Sequence, residues 1–129
     1  MNQQIAPASI APPAANYAHA VLSERSGTWL HTSGVVPTRP DQSVAEGIED
    51  QASTVWENLM AILQDAHMGP SDVVSVTTYV VVEHLESLPA VMAARDKALS
   101  GKRVASTLVT VPALANPKWK LEISLIATR

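Results

Sequence analysis

The sequence predicts an α+β domain, a mixed sheet in the order β-β-α-β-α-β-β with both helices on one face. Three observations carry that expectation. In residues 44–67, Ile48, Ala52, Val55, Leu59, Ile62, Leu63 and Ala66 recur at spacings of three and four, a single apolar helical stripe. Residues 72–83 are a β-branched run with apolar side chains on both faces, the pattern of a central strand. Residues 118–128 alternate, with Trp119, Leu121, Ile123, Leu125 and Ala127 on one face. Lys118, Lys120, Glu122, Ser124 and Thr128 fall on the other, and only Ile126 is out of step.

The elements follow in order. Residues 1–15 are rich in Ala and Pro without a period, an extended lead-in. Residues 17–22 and 28–34 are expected as strands joined in a hairpin by SERSG, where Gly27 relaxes the backbone. Ser43 with Glu46 three residues on suggests a capping box opening the first helix, and Gly69-Pro70 is expected to stop it. In the strand 72–83, Val74, Val76, Thr78, Val80 and Val82 are expected under the helices. Ser75, Thr77, Tyr79, Val81 and Glu83 take the opposite face. A second helix is expected over 86–99, with Pro89 in its first turn, a stripe of Leu88, Val91, Met92, Arg95 and Leu99, and Gly101 as its end. Strands 103–111 and 118–128 close the chain, separated by the Pro-bounded loop PALANP. Right-handed β-α-β crossovers put both helices on one sheet face. The other face, with Val81, Val109 and Val111 beside polar groups, is either solvated or covered by another subunit.

Composition excludes several function classes. The chain has 129 residues, one domain over 1–129, and 47% hydrophobic content, enough for a packed core. Nine basic residues are scattered among 12 acidic ones for a net charge of −3, with no basic run to follow a phosphate backbone. Nucleic acid is therefore not expected as a partner. No apolar run is long enough to span a bilayer, and the N-terminus lacks a secretory pattern. With no cysteine there is neither disulfide nor thiolate, which fits the cytoplasm. The four histidines, 19, 31, 67 and 84, lack metal-ligand spacing, although His19 and His31 would face each other across the first hairpin. No phosphate loop, G-x-S-x-G or H-E-x-x-H occurs, so neither metal nor cofactor is expected.

An arginine opening a strand (Arg103), a proline nine residues later (Pro112) and a late strand reading K-L-E-I are in sequence here with other marks. These are Tyr17 before a strand, Thr32-Ser33-Gly34 ending another, Gln51 and Asn58 on a helix, and Asp72-Val73-Val74 opening a third strand. In that order and spacing the chain resembles the RidA/YjgF family of reactive-imine deaminases over nearly its whole length. The resemblance implies a chorismate-mutase-like fold and a homotrimer whose sheets form the inner wall. It also implies hydrolysis of 2-imino or enamine acids, such as 2-aminoacrylate, to 2-keto acids and ammonia.

The site residues follow from that resemblance and from their own chemistry. A guanidinium holds a carboxylate bidentately and stays charged at any working pH. Arg103 is therefore the expected substrate anchor, where the plain alternative is a surface arginine, and neighbouring Lys102 is expected to add positive potential. Glu122 is expected to position or deprotonate water beside the imine, helped by partial burial. The plain alternative makes it a solvated partner of Lys118 or Lys120. Tyr17 matches a pocket-lining tyrosine, the Ser33–Gly34 backbone would complete the wall, and Ala105 could offer only main-chain groups. Departures from the family pattern surround this pocket. Gly34-Val35 stands for Gly-Gln, Gly101-Lys102 for Pro-Ala and Ala15-Asn16 for Gly-Pro, and the second helix has no aromatic residue. They suggest two alternatives: a pathway-specific member taking an aminomuconate or the aminoacrylate of pyrimidine breakdown in a pocket reshaped at Val35, or a ligand-binding trimer without turnover.

Overall fold

A computed structural model gives the structure of residues 2–129. The apolar stripe forms helix α1, Ile48–Asp65, and buries Ile48, Ala52, Val55, Trp56, Leu59 and Leu63. It starts later than the capping-box reading expects. The N-cap is Gly47 with no side-chain cap. Ser43 is instead satisfied by Asp41, whose Oδ1 accepts from the Ser43 amide at 2.9 Å and hydroxyl at 2.6 Å. That local turn competes with helix capping and prevails. The helix also ends before Gly69. His67 takes a left-handed φ of 57°. Its N–H donates to the Gln64 carbonyl, and the Met68 N–H to that of Leu63, at 2.9 and 2.8 Å. This is a Schellman closure with histidine where glycine is usual.

The long β-branched run becomes β4, Val73–Val81. Val76, Thr78 and Val80 are buried under the helices as expected. Val73 and Val74 are both buried, because the register shifts between Val73 and Ser75. Val82 leaves the strand for a 3-10 segment, Val82–Ser87, and is exposed. Helix α2, Leu88–Ala98, has Pro89 in its first turn. Its Arg95 is buried. Nε and Nη2 donate to Asp96 Oδ1 at 3.1 and 3.0 Å, and Nη1 donates to Ser106 Oγ at 3.2 Å. That contact ties the helix to β5, Ala105–Val111. Strand β6, Leu121–Thr128, completes the core with Leu121, Ile123, Leu125 and Ala127. Trp119 falls outside it, in a turn closed by its N–H on the Asn116 carbonyl at 3.0 Å.

The main sheet runs β3-β6-β4-β5, where β3 is Trp29–His31. β6 is antiparallel to both β3 and β4, and β5 is parallel to β4. Both helices pack on one side, as the sequence predicts. The expected hairpin of the first two strands does not form. β2, Ala20–Ser23, pairs with β1, Asn2–Ile5, in a separate two-stranded sheet, and β3 pairs with β6. Gly27 and Thr28 N–H groups both reach the Arg129 carbonyl, at 3.1 and 3.0 Å, so the turn docks on the end of β6 rather than folding β3 onto β2. His19 and His31 consequently part: the first meets Tyr17 edge-on and the second stacks on Trp29. Within the expected lead-in, Asn2–Ile5 forms β1 and a turn follows at residues 8–9.

Candidate functional site

The expected site residues gather in two groups on the sheet face away from the helices. The first group surrounds Glu122. Thr32 N–H donates to the Leu125 carbonyl at 3.0 Å, and Val35 exchanges N–H···O bonds with Ile123 at 2.7 and 3.0 Å. Ser33 and Gly34 lie between these pairs and oppose Ser124 alone. The extra residue makes a β-bulge that lifts the chain beside Glu122. Gly34 is the floor under the acid: a Cβ there would stand 2.0 Å from Glu122 Oε2 and 2.5 Å from its Cδ. Only glycine permits that approach. The half-buried carboxylate makes no hydrogen bond or ion pair with any described residue. Lys118 and Lys120 do not pair with it, and Lys120 Nζ instead donates to the Glu46 carbonyl. Val35, expected to reshape the pocket, packs against the core instead.

Two amides of α1 hold this group in place. Gln51 is fully buried, with Nε2 donating to the carbonyls of Ala45 and Lys118 at 2.7 and 2.9 Å, and Oε1 accepting from the Lys120 N–H at 2.9 Å. Asn58 Nδ2 donates to the carbonyls of Val36 and Thr38 at 3.2 and 3.0 Å. Gln51 thus fixes the chain entering β6 just before Glu122, and Asn58 fixes the chain leaving Gly34. In the sequence both stand out only as marks of the family pattern on the first helix.

The second group surrounds Arg103, just ahead of β5. Ala18 N–H donates to the Val104 carbonyl at 2.8 Å and pairs with Ala105 as an isolated bridge, which brings Asn16 and Tyr17 alongside. Arg103 Nε donates to Asn16 Oδ1 at 2.9 Å, and Asn16 Nδ2 to the Gly101 carbonyl at 3.4 Å. Tyr17 is half-buried; its hydroxyl accepts from the Ala14 N–H at 3.3 Å, and its ring meets His19 edge-on. Ala105 presents a methyl group on the open face, since its neighbour Ser106 turns towards Arg95. Lys102 does not add its charge beside Arg103. Its Nζ turns away to the carbonyls of Ser71 and, at 3.1 Å, Val73. Burial holds its pKa below the usual lysine value, with Asp72 opposing.

Within one chain the two groups do not converge. Ala105 is level with Ser75 on β4, and Glu122 with Tyr79. That offset, from residue 75 to 79, is roughly 13 Å along the strand, and Arg103 lies beyond Ala105. One group holds a free carboxylate over a glycine, the other a guanidinium with unengaged Nη atoms. Among the described residues no group of three or more His, Asp or Glu side chains is arranged to hold a metal.

A family model described as Endoribonuclease L-PSP matches residues 8–129. A protein of unknown function of the Rid family, YyfB from Yersinia pestis, is 30% identical, with a TM-score of 0.89 over 99% of this chain and 98% of that one. RidA from an Antarctic Psychrobacter is 26% identical, with a TM-score of 0.73 over 98% and 99%. A Thermotoga maritima protein provisionally described as an endoribonuclease is 29% identical, with a TM-score of 0.73 over 96% and 91%. No curated protein matches. The chain belongs to the Rid family, the L-PSP or YjgF group, and has its α+β fold.

Proposed function

We propose that this protein hydrolyses small 2-imino or enamine acids to 2-oxo acids and ammonia, in a site assembled between copies of the chain. The observation that carries the reading is the unpartnered Glu122 carboxylate held over Gly34. A carboxylate without a cation or donor beside it is available to water. Arg103, on a neighbouring copy, would take the substrate carboxylate through its free Nη pair. Tyr17 and Ala105 from that copy, with the Ser33–Gly34 backbone, would wall the substrate. Glu122 then takes a proton from water as the water oxygen bonds to C2 of the imine and passes it to the nitrogen, giving a carbinolamine; it next takes the hydroxyl proton and delivers it to the same nitrogen as the C=O bond forms and the C–N bond breaks. Water and imine are consumed, and one oxo acid and one ammonia leave. An enamine enters after protonation at its terminal carbon. Imine hydrolysis is intrinsically easy, so orientation supplies most of the gain and no cofactor is required.

Separation of the two groups within one chain supports assembly, and the open sheet face is the surface available for it. Glu122, Tyr79 and Val109 form one row across β6, β4 and β5, and Val109 is exposed. A homotrimer with these faces inward would cover that row and bring each Glu122 towards another chain's Arg103. The cysteine-free composition suits the cytoplasm. An excess of acidic over basic residues disfavours an RNA substrate.

The test is ammonia release from imines generated in place from several amino acids, with wild type and Arg103→Ala side by side. Loss of activity in the variant, with fold and assembly intact, is expected; retained deamination defeats the proposal. Selective turnover of an aminomuconate would make the protein a pathway-specific deaminase. Tight 2-oxo acid binding without ammonia release would make it a ligand-binding assembly.

A further inference from the structure

We infer that Asn16 is a positioning residue for Arg103, setting which edge of the guanidinium meets the substrate. The inference rests on Arg103 as the carboxylate anchor. A guanidinium can offer a carboxylate either its side edge, Nε with one Nη, or its end, the two Nη atoms. Here the side edge is taken, because Nε donates to Asn16 Oδ1 at 2.9 Å. Only the end remains for bidentate binding. The lysine and arginine of Gly101-Lys102-Arg103 are pulled to opposite sides. Lys102 Nζ is tied back to the carbonyls of Ser71 and Val73, while Arg103 is tied forward to Asn16. Asn16 also reaches the Gly101 carbonyl, so one amide bridges the turn and the side chain leaving it.

Asparagine suits this task. A neutral carbonyl oxygen orients the guanidinium without cancelling its charge, which an aspartate would do. Arg103 is otherwise an exposed, flexible side chain, and fixing one of its five N–H groups lowers the ordering cost when a carboxylate docks. The substrate carboxylate therefore sits in line with the Arg103 side chain rather than beside it, and its imine carbon is carried outward, away from the chain that supplies the arginine.

The experiment measures pyruvate affinity of the assembled protein by calorimetry, together with the ¹⁵Nε–Hε signal of Arg103, identified by its loss in Arg103→Lys. In Asn16→Ala, pyruvate affinity should fall about tenfold, as for loss of one bond to a charged group, and the protected Nε–Hε signal should be lost. KM should rise while kcat changes little. In Asn16→Asp the signal should persist while affinity still falls, because the acceptor remains but the charge is countered. Wild-type affinity in Asn16→Ala, with Arg103→Ala weakened, overturns this inference and leaves the anchor standing. Unchanged affinity in Arg103→Ala overturns the anchor and the inference with it. Loss of the Nε–Hε signal in both Asn16 variants also overturns the inference.

Discussion

Gly34→Ala isolates the placement of Glu122 from its chemistry. An alanine Cβ would lie 2.0 Å from Oε2, where ordinary contact begins at 3.4 Å, so the oxygen must move by at least 1.4 Å. Nothing holds it back, because the carboxylate has no partner among the described residues, and it can swing into the open face. The strain is that of an altered rotamer, about 1 kcal/mol, or a melting shift of about 3–5 °C for a domain of this size. The functional effect is larger. Displacing a reacting group by about 1 Å can cost 100-fold, so kcat/KM for ammonia release should drop by about that factor. Adding Glu122→Gln should then cost little more, since both changes disable one unit. Steady-state ammonia assays with calorimetric melting on the same samples give both numbers. Activity within threefold of wild type in a folded Gly34→Ala would refute the reasoning, as would a loss of stability above about 3 kcal/mol, the mark of a wedged rather than a mobile carboxylate.

Three further perturbations test other parts of the structure. Gln51→Ala removes a fully buried amide and leaves two part-buried carbonyls and one part-buried N–H to find water, and should destabilise by about 2–3 kcal/mol in urea titration, with activity falling as the approach to β6 loosens. His67→Gly removes a left-handed non-glycine residue and should stabilise by about 0.5–1 kcal/mol, read as a higher denaturation midpoint at unchanged slope. Lys102 has a folded pKa below its unfolded 10.5. Between those two values the unfolded chain binds the extra proton, so stability rises with pH there. Lys102→Met should abolish that part of the rise in denaturation curves taken from pH 8 upward.

Helix α1 and the long strands were legible because their periods are strong. The stripe of α1 and the alternation of β6 each place several apolar side chains where only one face can bury them. Partner choice was less legible. β2 and β3 are short, and nothing in Ala20–Ser23 distinguishes a following strand from the polar Asn2–Ile5 as its neighbour. The ends of α1 were misplaced because Asp41 and His67 act through local turns that leave no apolar pattern. For the candidate site, the resemblance supplied Arg103, Glu122 and Gly34 as expectations, but the close approach of Gly34 to the Glu122 carboxylate was not legible, since it joins residues far apart in sequence. The directions of Lys102 and Val35 were not, because each depends on neighbours distant in sequence: the Ser71–Val73 carbonyls for one, the core under β6 for the other. Asn16 stood out only as a departure from the family pattern; its contact with Arg103 spans 87 positions.

Glu122 and Arg103 ride on parts of the fold with unlike fates. The acid sits between Leu121 and Ile123, on a strand hydrogen-bonded along both sides, where amide hydrogens exchange only through large-scale opening. The arginine stands exposed at the margin, just ahead of the outer strand β5. Changes around the first threaten folding itself, since Leu121 and Ile123 are fully buried. Substitutions around residues 15–17 and 101–105 should therefore cost less stability than substitutions in the strand that bears the acid, read as smaller shifts in denaturation midpoint.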